Sequence, residues 1–466
     1  MPHLSNTSKG SPSAAAKRRP NVVVFFTDQQ RWDTTGLHGN PLDLTPNLDR
    51  VAQQNLHVAH SFTCQPVCGP ARSCLQTGLY ATTTGCWRNS IPLPPDSRTL
   101  AHYFGEAGYD TGYIGKWHLY DMDSKGPVPA DRRFGYDYWL ASNVLEFTSD
   151  AYDTVLYDND DNEQRLPGYR VDAVTDAAIR YVDTHQDDPF FLFVSYIEPH
   201  HQNHIDDYPP PTGYRERYTG RWVPPDLAAL GGSTHQHLGG YYGMVKRLDE
   251  AYGRMQDALR SMGLQDDTIV LFTSDHGNHF KTRNGEYKRS CHESSIRVPT
   301  VLSGPGFQGA GQLPELVSLI DLPPTLLDAA GIEIPEQMQG RSMMPLVRRE
   351  ATQEWPDDVF VQISEAQTGR AVRTKRWKYG VNAESPDTPP TGRADTYEEQ
   401  YLYDLDYDPY ELTNLIGSAA HEPVAQIMAD RLRRRMRDAG ERVPEIVAAV
   451  RGATGQRRVS EQEAQM

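Results

Sequence analysis

The chain has 466 residues, with 46 basic against 62 acidic side chains and a formal charge of −16. That length predicts one large domain with a smaller one beside it, and the acidic balance argues against nucleic acid or an anionic membrane surface as a general partner. Five cysteines, an odd number, do not make a disulfide scaffold in a chain of this size and are expected to stay mostly reduced.

Residues 1–20 are polar and basic with no apolar stretch, so they read as a disordered leader and not as a secretory signal. No run approaches ~20 apolar residues; no membrane span is expected, and the expected location is cytoplasmic. Residues 21–27 are a short, continuous β-branched and aromatic run, the pattern of a strand covered on both faces. Thr45 and Pro46 open a helix carrying Leu48, Val51 and Ala52. Residues 100–107 read as a second helix, ended by Gly108, and 171–182 as a third. The buried-strand pattern recurs at 189–195, 268–273 and 298–302, with a helix over 241–255. Between these, 200–240 is rich in Pro, Gly, Tyr and His without clear periodicity and reads as a substrate-facing loop. Its His200–His204 and His235–His237 runs, with Tyr208, Tyr214, Tyr218 and Trp222, fit either a sugar pocket or plain packing. Strands alternating with helices predict an α/β fold with a large, mostly parallel sheet flanked by helices.

Past residue 350 the pattern changes. Residues 359–363, 370–379 and 400–404 read as short strands, and Val424, Ile427, Met428, Leu432 and Met436 line one face of a helix. The expected division is a leader over 1–20, a catalytic α/β domain over 21–350 and a C-terminal α+β subdomain with an antiparallel sheet over 351–466. The tail after Gly452 is polar and expected to be disordered. No internal repeat is present.

Cys68, Pro70 and Arg72 form Cys-x-Pro-x-Arg, followed by Thr77-Gly78; neither Cys64 nor Cys74 fits the same template. Asp28-Gln29 directly follows the first strand, and Asp275-His276-Gly277 the strand over 268–273. Both pairs therefore sit at strand carboxyl ends, the rim where such sheets bind ligands. Two acidic groups converging there need a counter-charge, which a divalent cation supplies. Taken singly, each Asp could equally be a turn or cap residue.

These motifs, with Gly115-Lys-Trp-His-Leu119, Ile197-Glu-Pro-His200 and the stretch from Glu286 to Arg297-Val-Pro299, resemble the type I sulfatases of the alkaline phosphatase-like superfamily. The resemblance extends over nearly all of 21–415. It implies that Cys68 is oxidised to formylglycine by a formylglycine-generating enzyme and that one hydroxyl of the hydrate attacks sulfur. It implies metal ligation by Asp28, Gln29, Asp275 and His276 together with residue 68. Arg72, Lys116 and Lys288 would neutralise the sulfate, a protonated His200 or a Lys would assist the departing alcohol, and His118 would take the proton that lets sulfate leave. His201 and His292 are candidate substrate contacts. Oxygen ligands favour Ca²⁺ or Mg²⁺, His276 pulls toward Mn²⁺ or Zn²⁺, and the resemblance tips the choice to Ca²⁺. The implied substrate is small and anionic, a sulfate ester of a carbohydrate. An arylsulfatase with a non-sugar substrate and a phosphonate monoesterase or phosphodiesterase of the same superfamily are the alternatives, with Lys116, His118 and Lys288 leaning to sulfate. A binding-only relative would lack Cys68, Arg72 or the metal pairs, and all are present. Two positions depart from the commoner pattern: Gln29, where a second Asp is usual, and Ala71, where Ser is usual.

Overall fold

The computed structural model describes residues 19–350, 354–383, 392–453 and 458–466. All but the last two positions of the expected leader lie outside the described residues. The larger sheet takes, in chain order, β1 (Asn21–Thr27), β2 (Leu56–Phe62), β3 (Asp110–Lys116), β4 (Tyr138–Ser142), β5 (Thr154–Tyr157), β6 (Glu163–Leu166), β7 (Phe190–Ser195), β8 (Thr268–Ser274), β9 (Val301–Ser303) and β10 (Gly311–Ser318). Their spatial order is β10-β2-β9-β8-β1-β7-β3-β4-β5-β6. The central run β8, β1, β7, β3 and β4 is parallel throughout, so its carboxyl ends share one rim. Every residue of β1, β7 and β8 is buried, as a strand covered on both faces requires. Val23 and Phe25 face the helices Pro46–Gln54, Arg170–Thr184 and Thr234–Ser261, while Val22, Val24 and Phe26 face Cys68–Thr77, Leu100–Glu106 and Leu322–Ala329. The result is a helix–sheet–helix sandwich.

The smaller sheet pairs β11 (Asp358–Ile363), β12 (Gly369–Thr374), β13 (Trp377–Asn382) and β14 (Thr396–Asp404) antiparallel, with β15 (Glu445–Val447) parallel to β14. The helix Glu422–Asp438 buries Val424, Met428, Leu432 and Met436. Among the described residues no helix is long and apolar enough to cross a membrane.

Several sequence expectations change in physical detail. Of the run 298–302 only Val301 and Leu302 enter β9, because Pro299 has no N–H to give a ladder. The run 370–379 is two strands, broken where Thr374 Oγ1 accepts from the Trp377 amide at 2.9 Å. Residues 200–240 are not one long loop. They contain the short helices Tyr214–Tyr218 and Pro225–Ala229, and the following helix begins at Thr234. Tyr208, Tyr218, Leu227, Tyr241 and Phe280 pack together as a satellite core with Trp222 against it, so these rings serve packing. In the tail, Ser460 caps a helical turn over Glu461–Ala464, and Ala464 is buried.

A histidine cluster gives the fold a pH limit. His57 and His60 on β2 both face Arg297, and Arg373, Glu293 and Lys375 also face His60. The Nε2 atoms of His38 and His57 are 3.4 Å apart. Burial first, then Arg297, lowers His57 and His60 from 6.5 to about 4. In the unfolded chain these rings protonate near pH 6.5, and in the folded chain they resist it. The stability these two rings contribute is therefore full above about pH 6.5 and declines as pH falls toward about 4. The melting temperature should drop by several degrees between pH about 7 and about 5, and the slope should flatten in His57→Gln/His60→Gln. An unchanged slope in the double variant would remove these rings as its cause.

Candidate active site

Cys68 is the first residue of the helix Cys68–Thr77, and Val67 before it is extended. Pro70 falls in the first turn, where a missing N–H costs nothing. Arg72, four residues after Cys68, returns to the same face one turn on. Gly78 ends the helix at φ 72°, a left-handed cap that favours glycine. The whole motif is thus one short helix that aims a thiol and a guanidinium in one direction. The helix amino end adds a positive potential at Cys68.

That direction is the rim of the parallel strands. Asp28 and Gln29 follow β1, and Asp275 and His276 follow β8. The ligand atoms of Asp28, Cys68, Asp275 and His276 all lie within 4.8 Å of one another, and all four residues are buried. Cys68 Sγ is 3.3 Å from His276 Nε2 and 3.6 Å from Asp28 Oδ1. Burial, with Asp28 beside it, pushes Asp275 up to about 7. Gln29 Nε2 donates to the Tyr208 hydroxyl at 3.1 Å, which leaves its buried Oε1 without a partner. Two carboxylates forced together, an unpartnered amide oxygen and a neutral imidazole are a donor set that fits a divalent cation.

Positive charge surrounds this acidic pair. Arg72 Nη2 donates to Asp28 Oδ2 at 2.9 Å, and its Nη1 to Ser195 Oγ at 2.6 Å and the Lys116 carbonyl at 3.0 Å. Lys116, the last residue of β3, donates to Asp28 Oδ2 at 2.8 Å and Glu146 Oε1 at 2.9 Å. The nearby cations hold Asp28 well below the usual carboxylate range against the opposing effect of burial, the largest single influence on it. Trp117 turns the other way into an aromatic core with Tyr113, Tyr136 and Trp139. His118, with φ 58°, returns to the site side.

A pocket opens over Cys68, lined also by Arg88, Asn89, His118, Glu146, His200, His201, Lys288, Arg289 and Glu365. Lys288 Nζ donates to Cys68 Sγ at 2.8 Å and lies 3.1 Å from His200 Nε2. His200 Nδ1 is 2.6 Å from the His201 carbonyl, so it carries the proton and Nε2 accepts from Lys288. Burial and then Lys288 push His200 well below its ordinary value, and burial and then Lys116 do the same for His118. Both shifts disfavour the charged rings at rest, and Lys288, the other expected proton donor to the departing alcohol, lies against His200. His201 stacks on His200 with ring centroids 4.4 Å apart and lines the pocket.

His292 does not join the site. Its Nε2 meets the Tyr403 hydroxyl at 3.0 Å, and its ring packs on Tyr401 and Tyr403 of β14. It precedes the turn Glu293–Ile296 without a side-chain cap bond, and its ring packs that segment against the smaller sheet. The pocket also holds residues that sequence reasoning missed. Glu146 faces Lys116 from a four-residue helix with no motif around it. Arg88 and Asn89 follow the signature by a turn, and Glu365 arrives from the smaller sheet, nearly three hundred residues away in sequence. Asn89 carried the one usable signal, its place shortly after the cysteine helix: its Oδ1 accepts from the Gly69 amide at 2.9 Å.

Residues 20–332 match the family described as sulfatase, and 285–438 match the C-terminal region of N-sulphoglucosamine sulphohydrolase. An ulvan-active sulfatase of Formosa agariphila is 29% identical over 439 residues, covering 91% of this chain and 82% of that protein. An N-acetylglucosamine-6-O-sulfatase of Bacteroides thetaiotaomicron is 23% identical, covering 90% and 86%. In structure, the phosphonate monoester hydrolase of Agrobacterium radiobacter superposes with a TM-score of 0.69 at 23% identity, covering 90% of this chain and 96% of that one.

Proposed function

The chain belongs to the sulfatase family and is a sulfuric ester hydrolase, and from that premise we propose that it desulfates a carbohydrate at residue 68, matured to formylglycine, with Ca²⁺ beside it. The observation that carries this reading is the surround of Cys68 Sγ, with Lys288 Nζ at 2.8 Å, His276 at 3.3 Å and Asp28 at 3.6 Å on the floor of an open pocket.

A sulfate ester resists attack because its charged oxygens repel nucleophiles. A divalent cation held by Asp28, Gln29, Asp275 and His276 would supply positive charge against those oxygens and favour a deprotonated nucleophile. A formylglycine at 68, made by a formylglycine-generating enzyme and hydrated by water to a geminal diol, would supply one hydroxyl for attack and a second for release of sulfate. The chain's own residues do the rest. Arg72 and Lys116 hold Asp28 in place and keep it ionised. Lys288, already in contact with the reacting atom, offers charge to the sulfate and a proton to the departing alcohol, with His200 as its hydrogen-bonded partner. Burial disfavours the charged form of His118, and its buried Nδ1 has no partner, so it can take a proton at the release step. The sugar is proposed on the strength of the two carbohydrate sulfatases among the relatives.

The test is sulfate and phosphate release by chain co-produced with a formylglycine-generating enzyme. The substrates are sulfated mono- and oligosaccharides, an aryl sulfate and an aryl phosphonate. We expect sulfated sugars to lead. Phosphonate turnover above every sulfate would overturn the substrate assignment.

A further inference from the structure

We propose that Arg88 reads a second anionic group, a carboxylate or a second sulfate, on the substrate beside the scissile sulfate. The inference rests on the reading of this pocket as the sulfate-ester site and adds to it the charge pattern of the preferred sugar.

Three observations carry it. First, Arg88 is exposed, lines the pocket over Cys68, and has no carboxylate partner among the described residues. The other arginine in the wall, Arg289, is satisfied: it pairs with Glu286 at 3.0 Å and with Glu365 at closer range. Lys116 is likewise held by Asp28 and Glu146. Lys288 is the cation left for the scissile sulfate, and Arg88 is left with no internal anion.

Second, the base of Arg88 is rigid. Trp87 O accepts from Gln65 Nε2 at 2.7 Å, the Asn89 amide donates to Glu365 Oε1 at 2.5 Å, and Asn89 Oδ1 accepts from Gly69 N at 2.9 Å. The Arg88 guanidinium lies over the Trp87 ring, 5.8 Å from its centroid. An exposed arginine is normally a mobile side chain on a solvated face. This one is stacked on a buried indole, and its neighbour Asn89 bonds the residue next to the nucleophile.

Third, the geometry suits a second anion and not the scissile one. The reacting atom is reached by the buried Lys288, while Arg88, one residue before Asn89, lines the same pocket from an exposed position. A guanidinium offers a planar fork that matches carboxylate and sulfate oxygens alike. An unpaired, pre-positioned cation loses little freedom when it binds.

The test compares sugars matched except for one charge. One arm sets N-acetylglucosamine 6-sulfate against glucosamine 2-N,6-O-disulfate; the other sets a monosulfated hexose against the hexuronate with the same sulfate. Binding is measured on the unconverted Cys68 chain, where no turnover occurs, and kcat/KM on the matured enzyme. In at least one arm the doubly anionic member should bind roughly 10- to 100-fold tighter, and the arm that responds identifies the second anion. Arg88→Gln should bring the pair within about twofold, and Arg88→Lys should fall between, keeping the charge but losing the fork. Arg88→Gln should lower kcat/KM for the doubly anionic sugar far more than for its singly anionic match. No preference in either arm, or a preference that survives Arg88→Gln, overturns the proposal. A chain that binds dianionic sugars through Arg88 yet releases no sulfate from any of them would sustain this inference and overturn the hydrolase assignment instead.

Discussion

Cys68→Ser should leave a folded protein that releases the alcohol once per active site and then stops. The new hydroxyl occupies the place of the thiol at the head of the helix Cys68–Thr77, with Lys288, His276 and Asp28 around it. It can attack sulfur: an O–S bond forms, the bond from sulfur to the sugar oxygen breaks, the sugar oxygen takes a proton from the Lys288–His200 pair, and the serine hydroxyl's proton replaces it on that pair. What remains is a sulfate ester of serine, as stable as the substrate and with no second hydroxyl on the same carbon to expel sulfate. Steady-state turnover should fall by roughly 10⁴-fold or more, while intact mass shows one sulfuryl group added at residue 68. Cys68→Ala should release no alcohol at all. Since Ser replaces Cys with little change of volume, the melting temperature should stay near that of the parent chain. Multiple turnovers with free sulfate in Cys68→Ser would mean that residue 68 is not the nucleophile.

How much of this site is legible in the sequence depends on whether a residue's place is set locally. Cys68, Arg72 and Gly78 are readable because one short helix fixes all three. Asp28 and Asp275 are readable because each ends an apolar strand, and parallel strands put their carboxyl ends together. Lys288 could be placed only through resemblance, since its loop has no periodicity. His292 was misplaced for the same reason: next to a site loop in sequence, it turns outward to Tyr403 because β14 runs behind it. Glu146 and Glu365 were invisible, as nothing local to either announces a partner far along the chain. In the fold, the all-apolar strands were plain. β3 was not, because its two glycines look like turn residues. They are required by crowding: a side chain at Gly112 would lie 2.6 Å from the Tyr181 ring, and one at Gly115 would lie 2.0 Å from Ser195 O. The edge strand β10 was hidden by Pro314, tolerated where the register shifts between Leu313 and Leu316.

The smaller sheet also bears on catalysis, and Lys378→Met should expose this with a loss of stability second only in effect to the loss of the nucleophile. Lys378 on β13 is fully buried; its Nζ lies 2.8 Å from Glu293 Oε1 and 2.6 Å from Glu411 Oε1. Arg373 on β12 reaches the same Glu293 at 3.3 Å. Glu411 in turn accepts from the Glu293 amide at 2.7 Å, and Arg283 donates to the carbonyls of Tyr410 and Glu411. The segment that carries Lys288 is thus pinned on both sides, at Arg283 and at Glu293, to the C-terminal part of the chain. Removing the ammonium leaves two carboxylates in a dry interface. Glu411 is already raised by burial, with Glu293 adding to it and Lys378 opposing. Breaking such a buried pair costs about 3–5 kcal/mol. The melting temperature should fall accordingly, and kcat should fall well below the melting range because Lys288 is no longer held against residue 68. Adding Glu411→Gln should restore part of the stability by removing one of the stranded charges, an outcome that general damage to packing would not produce. If Lys378→Met melts with the parent chain, the ion pair does not hold the two sheets together, and the link from β13 to the active site fails with it.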